Sequence, residues 1–134
     1  MKKRTKSLVC ALLVISIVSV LFSCTGGGLD WSTATYKSDV TLGKGEKQVT
    51  VLIVADENSV TITINTDEAV LGDALYALGL VNDATFFDVL NGVLASWEED
   101  QAYWAFYENG EMPNYGIGQA LINGGENYKF VYTK

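Results

Sequence analysis

The spacing of apolar residues changes period at Thr66, and that change restricts the chain to folds that mix strands with a helix. Before it, Val60, Ile62 and Ile64 alternate with Thr61, Thr63 and Asn65, the two-residue repeat of a strand with one buried face. After it, Val70, Leu71, Ala74, Leu75 and Leu78 recur at helical spacing until Gly79 supplies a stop. Thr66 is the expected N-cap, with Asp67 and Glu68 in a first turn where the helix dipole favours negative charge. One short amphipathic helix has little stability alone. Its Leu71, Ala74, Leu75 and Leu78 stripe therefore predicts a sheet to pack against.

Strand patterns lie on both sides of this helix. Ala34, Tyr36, Val40 and Leu42 share one face of an extended segment, with Thr35, Lys37, Asp39 and Thr41 on the other, which predicts a first strand ending at the Gly43-Lys44-Gly45 turn. Residues 49–54 are rich in β-branched side chains, and Asp56-Glu57-Asn58 joins them to 59–65 as a hairpin loop. Beyond the helix, Phe86-Phe87-Asp88-Val89-Leu90 leads into Asn91-Gly92, a pair that tolerates positive φ and marks a tight turn back through Val93 and Leu94. An aromatic strand at 103–108 ends at a second such turn, Asn109-Gly110, and a last strand at 128–132 follows Asn123-Gly124-Gly125. Strands, one helix and more strands define an α+β domain with the helix on one face of a mixed sheet.

The N-terminal region reads differently. Met1-Lys2-Lys3-Arg4-Thr5-Lys6 precedes an uncharged apolar and small-residue run over 7–22, the pattern of a secretory signal peptide. An uncleaved membrane anchor is the rival reading, although such a span usually needs about 20 apolar residues. Leu21-Phe22-Ser23-Cys24 resembles the lipobox of bacterial lipoproteins, in which the cysteine is diacylated and cleavage falls before it; Phe22 is bulkier than usual at its position. The expected organisation is a signal peptide over 1–23, lipidated Cys24 with a flexible tether over 24–32 containing Gly26-Gly27-Gly28, and a domain over 33–134. A structural turn is the alternative for the glycine run. This organisation places the domain outside the cell, on the outer face of the cytoplasmic membrane, held there by lipid alone. With Cys10 removed and Cys24 acylated, no disulfide is expected.

Removal of Lys2, Lys3, Arg4 and Lys6 leaves five lysines against sixteen carboxylates. So acidic a domain is not expected to bind nucleic acid, which requires basic groups to neutralise phosphates. The chain has no histidine, and residues 24–134 have no arginine and no thiol once Cys24 is acylated. Histidine-assisted nucleophiles, thiolate enzymes, imidazole or thiolate zinc sites and arginine phosphate clamps are thereby excluded. A carboxylate pair for glycoside hydrolysis is conceivable, but a domain this small has little room for a deep cleft. A non-enzymatic module without catalytic residues or cofactor is expected.

From about Thr41 to Lys134, several segments together resemble the bacterial transcobalamin-like C-terminal domain family. They are Thr41-Leu42-Gly43, Leu71-Gly72-Asp73-Ala74-Leu75, Asn91-Gly92-Val93, the string from Tyr103-Trp104-Ala105-Phe106-Tyr107 through Glu108-Asn109-Gly110-Glu111, Gly116-Ile117 and Tyr128-Lys129-Phe130-Val131-Tyr132. The string over 103–111, with Asn91-Gly92 upstream, is the most specific part. The resemblance implies a β-grasp fold and a soluble ligand such as the corrinoid cobalamin, with the ligand edge near Tyr103-Trp104 and Gly116-Ile117. Together with the expected lipid anchor, it suggests handover to an uptake system, with a transporter subunit as the candidate partner. The usual Gly-Asp turn before the last strand is replaced by Gly124-Gly125-Glu126. The cobalamin carriers close over the ligand with a separate helical domain, which these 134 residues do not hold, so cover of one side of a corrin-sized ligand is implied.

Within 103–108, Tyr103, Ala105 and Tyr107 share one strand face while Trp104, Phe106 and Glu108 share the other, and one face must be core. Core packing is the simpler role for Trp104 and Phe106. Tyr107, Asn109 beside its turn, and Tyr115 in the Pro113-Asn114-Tyr115-Gly116 loop stand where sheet-end loops present rings and amides to a ligand. The ligand-binding candidates are thus Tyr103, Trp104, Tyr107, Asn109, Tyr115, Gly116 and Ile117. Trp97 with Glu98-Glu99-Asp100 is expected to form a solvated acidic loop; a hard cation such as calcium is the sharper alternative, without the spacing of a calcium loop. A cell-envelope module that binds protein or polysaccharide is the other functional class.

Overall fold

The computed structural model describes residues 28–134. The expected signal peptide, the lipobox-like motif with Cys24, and the expected tether as far as residue 27 lie outside the described residues.

The sheet is built on one hairpin. Strand β2, Lys47–Ala55, and strand β3, Asn58–Thr66, pair antiparallel across a two-residue turn in which Asp56 takes φ 55°. Their alternation buries Val49, Val51, Ile53 and Ala55 with Val60, Ile62 and Ile64, while Thr50, Thr61 and Thr63 face outward. Strand β1, Val40–Leu42, adds parallel to β3. The C-terminal strand β7, Asn127–Thr133, inserts parallel beside β2, and β6, Tyr103–Glu108, closes the sheet antiparallel to β7. The order is β1-β3-β2-β7-β6, with β4 (Val89–Leu90) and β5 (Val93–Leu94) as a separate small hairpin. A hairpin, a helix and a returning strand parallel to the first, in the middle of an open five-stranded sheet, give the α+β, β-grasp-like arrangement.

Helix α1, Leu71–Ala77, packs on one sheet face through Leu71, Ala74 and Leu75, each fully buried, with Leu78 partly buried behind them. Burying one such leucine contributes about 1.5–3 kcal/mol, and Gly79 at φ 71° ends the helix as expected. The start differs from the expectation. Thr66 is the last residue of β3, paired with Lys47, and its hydroxyl accepts from the Glu68 N–H in a turn. The chain enters α1 through Val70. Asp67 lies outside the helix and accepts the Glu46 N–H instead.

Two expected strands are shorter than their alternation suggests. The first extends only over β1, because Thr35 and Tyr36 are hydrogen-bonded to Asn91 rather than to a strand neighbour. Phe86 and Phe87 are not in a strand, since Asp83 accepts the N–H groups of both Thr85 and Phe86 and turns the chain there. Those bonds hold the Asp83 carboxyl below the usual carboxylate range. The acidic segment after Ser96 is a one-turn helix rather than a loop: α2, Trp97–Asp100, capped by Ser96 Oγ accepting from Glu99 N–H. Leu29 and Trp31, ahead of β1, are partly buried against the core.

Candidate functional site

Strand β6 positions most of the candidate residues, and its partner β7 decides which way they face. Trp104, Phe106 and Glu108 lie opposite Tyr132, Phe130 and Tyr128, whose side chains are buried, so this face of β6 is the core. Phe106 stacks on Phe130 at 5.2 Å, and Trp104 meets Tyr132 edge-on at 5.7 Å. The Trp104 indole N–H donates to the Val93 carbonyl at 3.3 Å, tying β6 to the β4–β5 hairpin. Tyr103, Ala105 and Tyr107 occupy the outer face, where the Lys129 ammonium sits 4.7 Å from the Tyr107 ring centre.

Where β6 begins, the small hairpin, α2 and the strand enclose a half-open cavity of about 460 Å³, lined by Phe87, Leu94, Trp97, Tyr103 and Trp104 with Asp88 and Glu98 among its polar groups. Trp97 is 64% exposed and Tyr103 44%, and their rings meet at 6.4 Å with an angle of 63°. Trp104 is only 7% exposed, and forms part of the wall. Leu94, also exposed, completes an apolar lip. Such a concave, aromatic-walled hollow with a few carboxylates can take the flat face of a small organic molecule.

Where β6 ends the chemistry is polar. Asn109 and Gly110 form the hairpin turn with φ 51° and 86°, and Asn109 bonds Asn127 twice, through its own N–H and through Oδ1. Tyr115 donates to Glu108 Oε2 at 2.8 Å, while Glu108 Oε1 is buried with no hydrogen-bond partner among the described residues. The bond to Glu108 raises the Tyr115 phenol above its ordinary value. Tyr128 is raised further, first by burial and then by the charges of Glu126 and Glu108. Gly116 is exposed, and Ile117 is fully buried in the core against α1.

The expected residues therefore fall into separate groups. Tyr103 and Trp104 share the cavity at the start of β6. Tyr107 stands on the outer face, and Asn109, Tyr115 and Gly116 cluster at the far end, about 20 Å along the strand. Sequence reading missed Phe87, Leu94 and Ser96 as neighbours of Tyr103, because the small hairpin and α2 reach β6 only through the tertiary fold. One signal was present: Ser96 three residues before Glu99 has the spacing of a capping box, which would have placed Trp97 on a short helix. Among the described residues no three carboxylates gather in a way that could hold a metal ion.

The sheet order and packed helix define a small β-grasp-like α+β domain. Residues 50–134 match the family described as a domain of unknown function, DUF4430, and the chain belongs to that family. Its fold is similar to the crystal structure of a protein from Ruminococcus gnavus described as a "putative metal binding protein", with 21% identity and a TM-score of 0.61 over 66% of this chain and 98% of that one. No curated protein matches the chain.

Proposed function

We propose that this protein is a non-catalytic binding module, tethered outside the cell through Cys24, that presents the cavity at the start of β6 to a small soluble ligand for handover to an uptake system. The observation that carries this reading is the cavity itself, with the exposed rings of Trp97 and Tyr103 on its lip and Trp104 in its wall. Large apolar side chains held in solvent beside a hollow suit a ligand with a flat apolar face. A corrinoid is the first candidate, because the sequence resembles the transcobalamin-like domains. A cavity of this size covers one side of such a molecule, so modest affinity is expected. The tether rests on the lipobox-like Leu21-Phe22-Ser23-Cys24.

Calorimetric titration of the full chain in detergent with cobalamin and with cobinamide tests the ligand. Saturable heat that Trp97→Ala weakens by about tenfold or more supports the cavity, since a desolvated aromatic contact is commonly worth at least 1 kcal/mol. Absence of heat at high micromolar protein rejects a corrinoid. The R. gnavus description adds a metal ion as a second ligand class, and a hard cation such as calcium is the one an acidic chain would favour. Calcium alone, titrated against melting temperature, separates it: a rise that chelator abolishes would favour the cation.

A further inference from the structure

Strand β6 is the outermost strand of the sheet, and beyond the Glu108–Glu111 turn its free side carries main-chain groups without a main-chain partner among the described residues. The alternation of its hydrogen bonds follows from its two ends. The Asn109 N–H donates to the Asn127 carbonyl across to β7, whereas Glu108 exchanges both its N–H and C=O bonds with Glu111, on the side away from β7. In an antiparallel ladder this direction alternates residue by residue. The N–H and C=O groups of Trp104 and Phe106 therefore point outward with those of Glu108, and among the described residues no main-chain group meets them. The chain's own return along this edge ends early. With Glu111 opposite Glu108, Pro113 falls opposite Phe106, and a residue without an N–H cannot continue the ladder. At the other end the Ala102 N–H is taken by the Ser96 carbonyl. What remains is an open slot about five residues, or roughly 17 Å, long.

Open edges of this kind are usually blunted by lysine, proline or a bulge within the strand, and β6 contains none of these. Its surroundings are mostly acidic, although Lys129 of β7 lies over the Tyr107 ring on the outer face. Between Lys47 and Lys129 there is no basic residue at all, and Asp88, Glu98, Glu99, Asp100 and Glu111 lie within this stretch on either side of β6 in the chain. A second copy of the chain would bring the same carboxylates against each other, so charge disfavours self-pairing and favours a cationic partner.

We infer that the free edge of β6 is a strand-addition site for an extended basic polypeptide segment, which hydrogen-bonds to Trp104 and Phe106 while its lysine or arginine side chains face the carboxylates at either end of the slot. The inference goes beyond the small-ligand reading and stands on different atoms, the outward main-chain groups of β6. Loss of cobalamin binding would leave it intact.

The test is amide hydrogen exchange, read residue by residue on the full chain in detergent, with an amidated Lys-Val-Lys-Val-Lys peptide as probe. Exchange at Trp104 and Phe106 is expected to slow by about tenfold or more at saturation, because amides enter a ladder that was open before. The Glu-for-Lys peptide should leave both unchanged. Glu98→Lys combined with Glu111→Lys should weaken the basic peptide by at least about tenfold. Unchanged slow exchange in β2 and β3 of that variant verifies its fold. Binding without protection at Trp104 and Phe106, or equal binding of the acidic peptide, overturns the proposal. So does protection that rises with protein concentration alone, which would make a second copy the occupant.

Discussion

Asn91 should be among the costliest single residues in the domain to replace, for reasons unrelated to hydrophobic burial. It is fully buried at φ 54°, the first residue of the tight turn between β4 and β5. Its main chain accepts from Thr35 N–H and donates to Leu80 C=O, both at 2.8 Å. Its side chain then closes on Tyr36 from both directions, accepting the N–H at 3.0 Å and donating to the C=O at 2.9 Å. One residue thus joins the segment before β1, the end of α1 and the small hairpin that supports the cavity. Asn91→Ala leaves both Tyr36 main-chain groups unpaired at a cost of about 1 kcal/mol each or more. It also forces a side chain without a local polar partner into the left-handed region, at roughly 1 kcal/mol. The total of about 3 kcal/mol is a large share of a stability of about 5–15 kcal/mol. Asn91→Gly loses the same two bonds without the backbone penalty and should cost about 2 kcal/mol. Urea unfolding followed by tryptophan fluorescence measures both, provided the slope stays constant. An Asn91→Ala loss under about 1 kcal/mol would refute the hydrogen-bond argument, and equal losses for the two variants would refute the backbone argument.

Gly72→Ala should destabilise by about 2 kcal/mol or more in the same assay, despite alanine's better helix propensity, since its Cβ would stand 2.0 Å from the Ala84 carbonyl oxygen. Burial pushes the Glu126 carboxyl up, but bonds from the Asn123 and Gly124 N–H groups outweigh this and hold its pKa below the ordinary value. A folded-state pKa below the unfolded one gives stability that is present above the unfolded value and lost as pH falls through the folded one. Glu126→Gln should therefore lower the melting temperature at about pH 7 and converge on the native protein as pH falls below the ordinary carboxylate range; a constant gap would contradict the assignment. Cys24→Ser should move the protein from the detergent phase to the aqueous phase in a detergent-partition assay, and an unchanged partition would argue against the lipid anchor.

The parts of the fold that were legible in the sequence are those settled by near neighbours. Val60, Ile62 and Ile64 could face only one way, and Asp56-Glu57 could only fold β2 back on β3. Asn91-Gly92 and Asn109-Gly110 announced their turns because positive φ is costly for most other residues. The errors arose where a local pattern was overridden at a distance. Thr66, Asp67 and Glu68 have the composition of a helix start, yet Lys47 on the adjacent strand holds Thr66 in the ladder, moving the true start to Leu71. The alternation from Ala34 was sound, but Asn91 takes the hydrogen bonds that a neighbouring strand would have used.

The site divides along the same line. That β6 carried aromatic residues on both faces was visible in the sequence, but which face was core depended on the parallel insertion of β7 beside β2, a pairing between segments more than 70 residues apart. Once that pairing exists, Trp104 and Phe106 must turn inward with Phe130 and Tyr132, while Tyr103 is left on the outer face at the mouth of the cavity. The same insertion makes β6 the outermost strand and leaves the main-chain groups of Trp104 and Phe106 without a main-chain partner among the described residues. The cavity and the free edge are thus two consequences of one topological event. Strengthening the β6–β7 pairing should preserve both, whereas weakening it, by replacing Ala105 or Val131 with proline, should abolish both together with the fold.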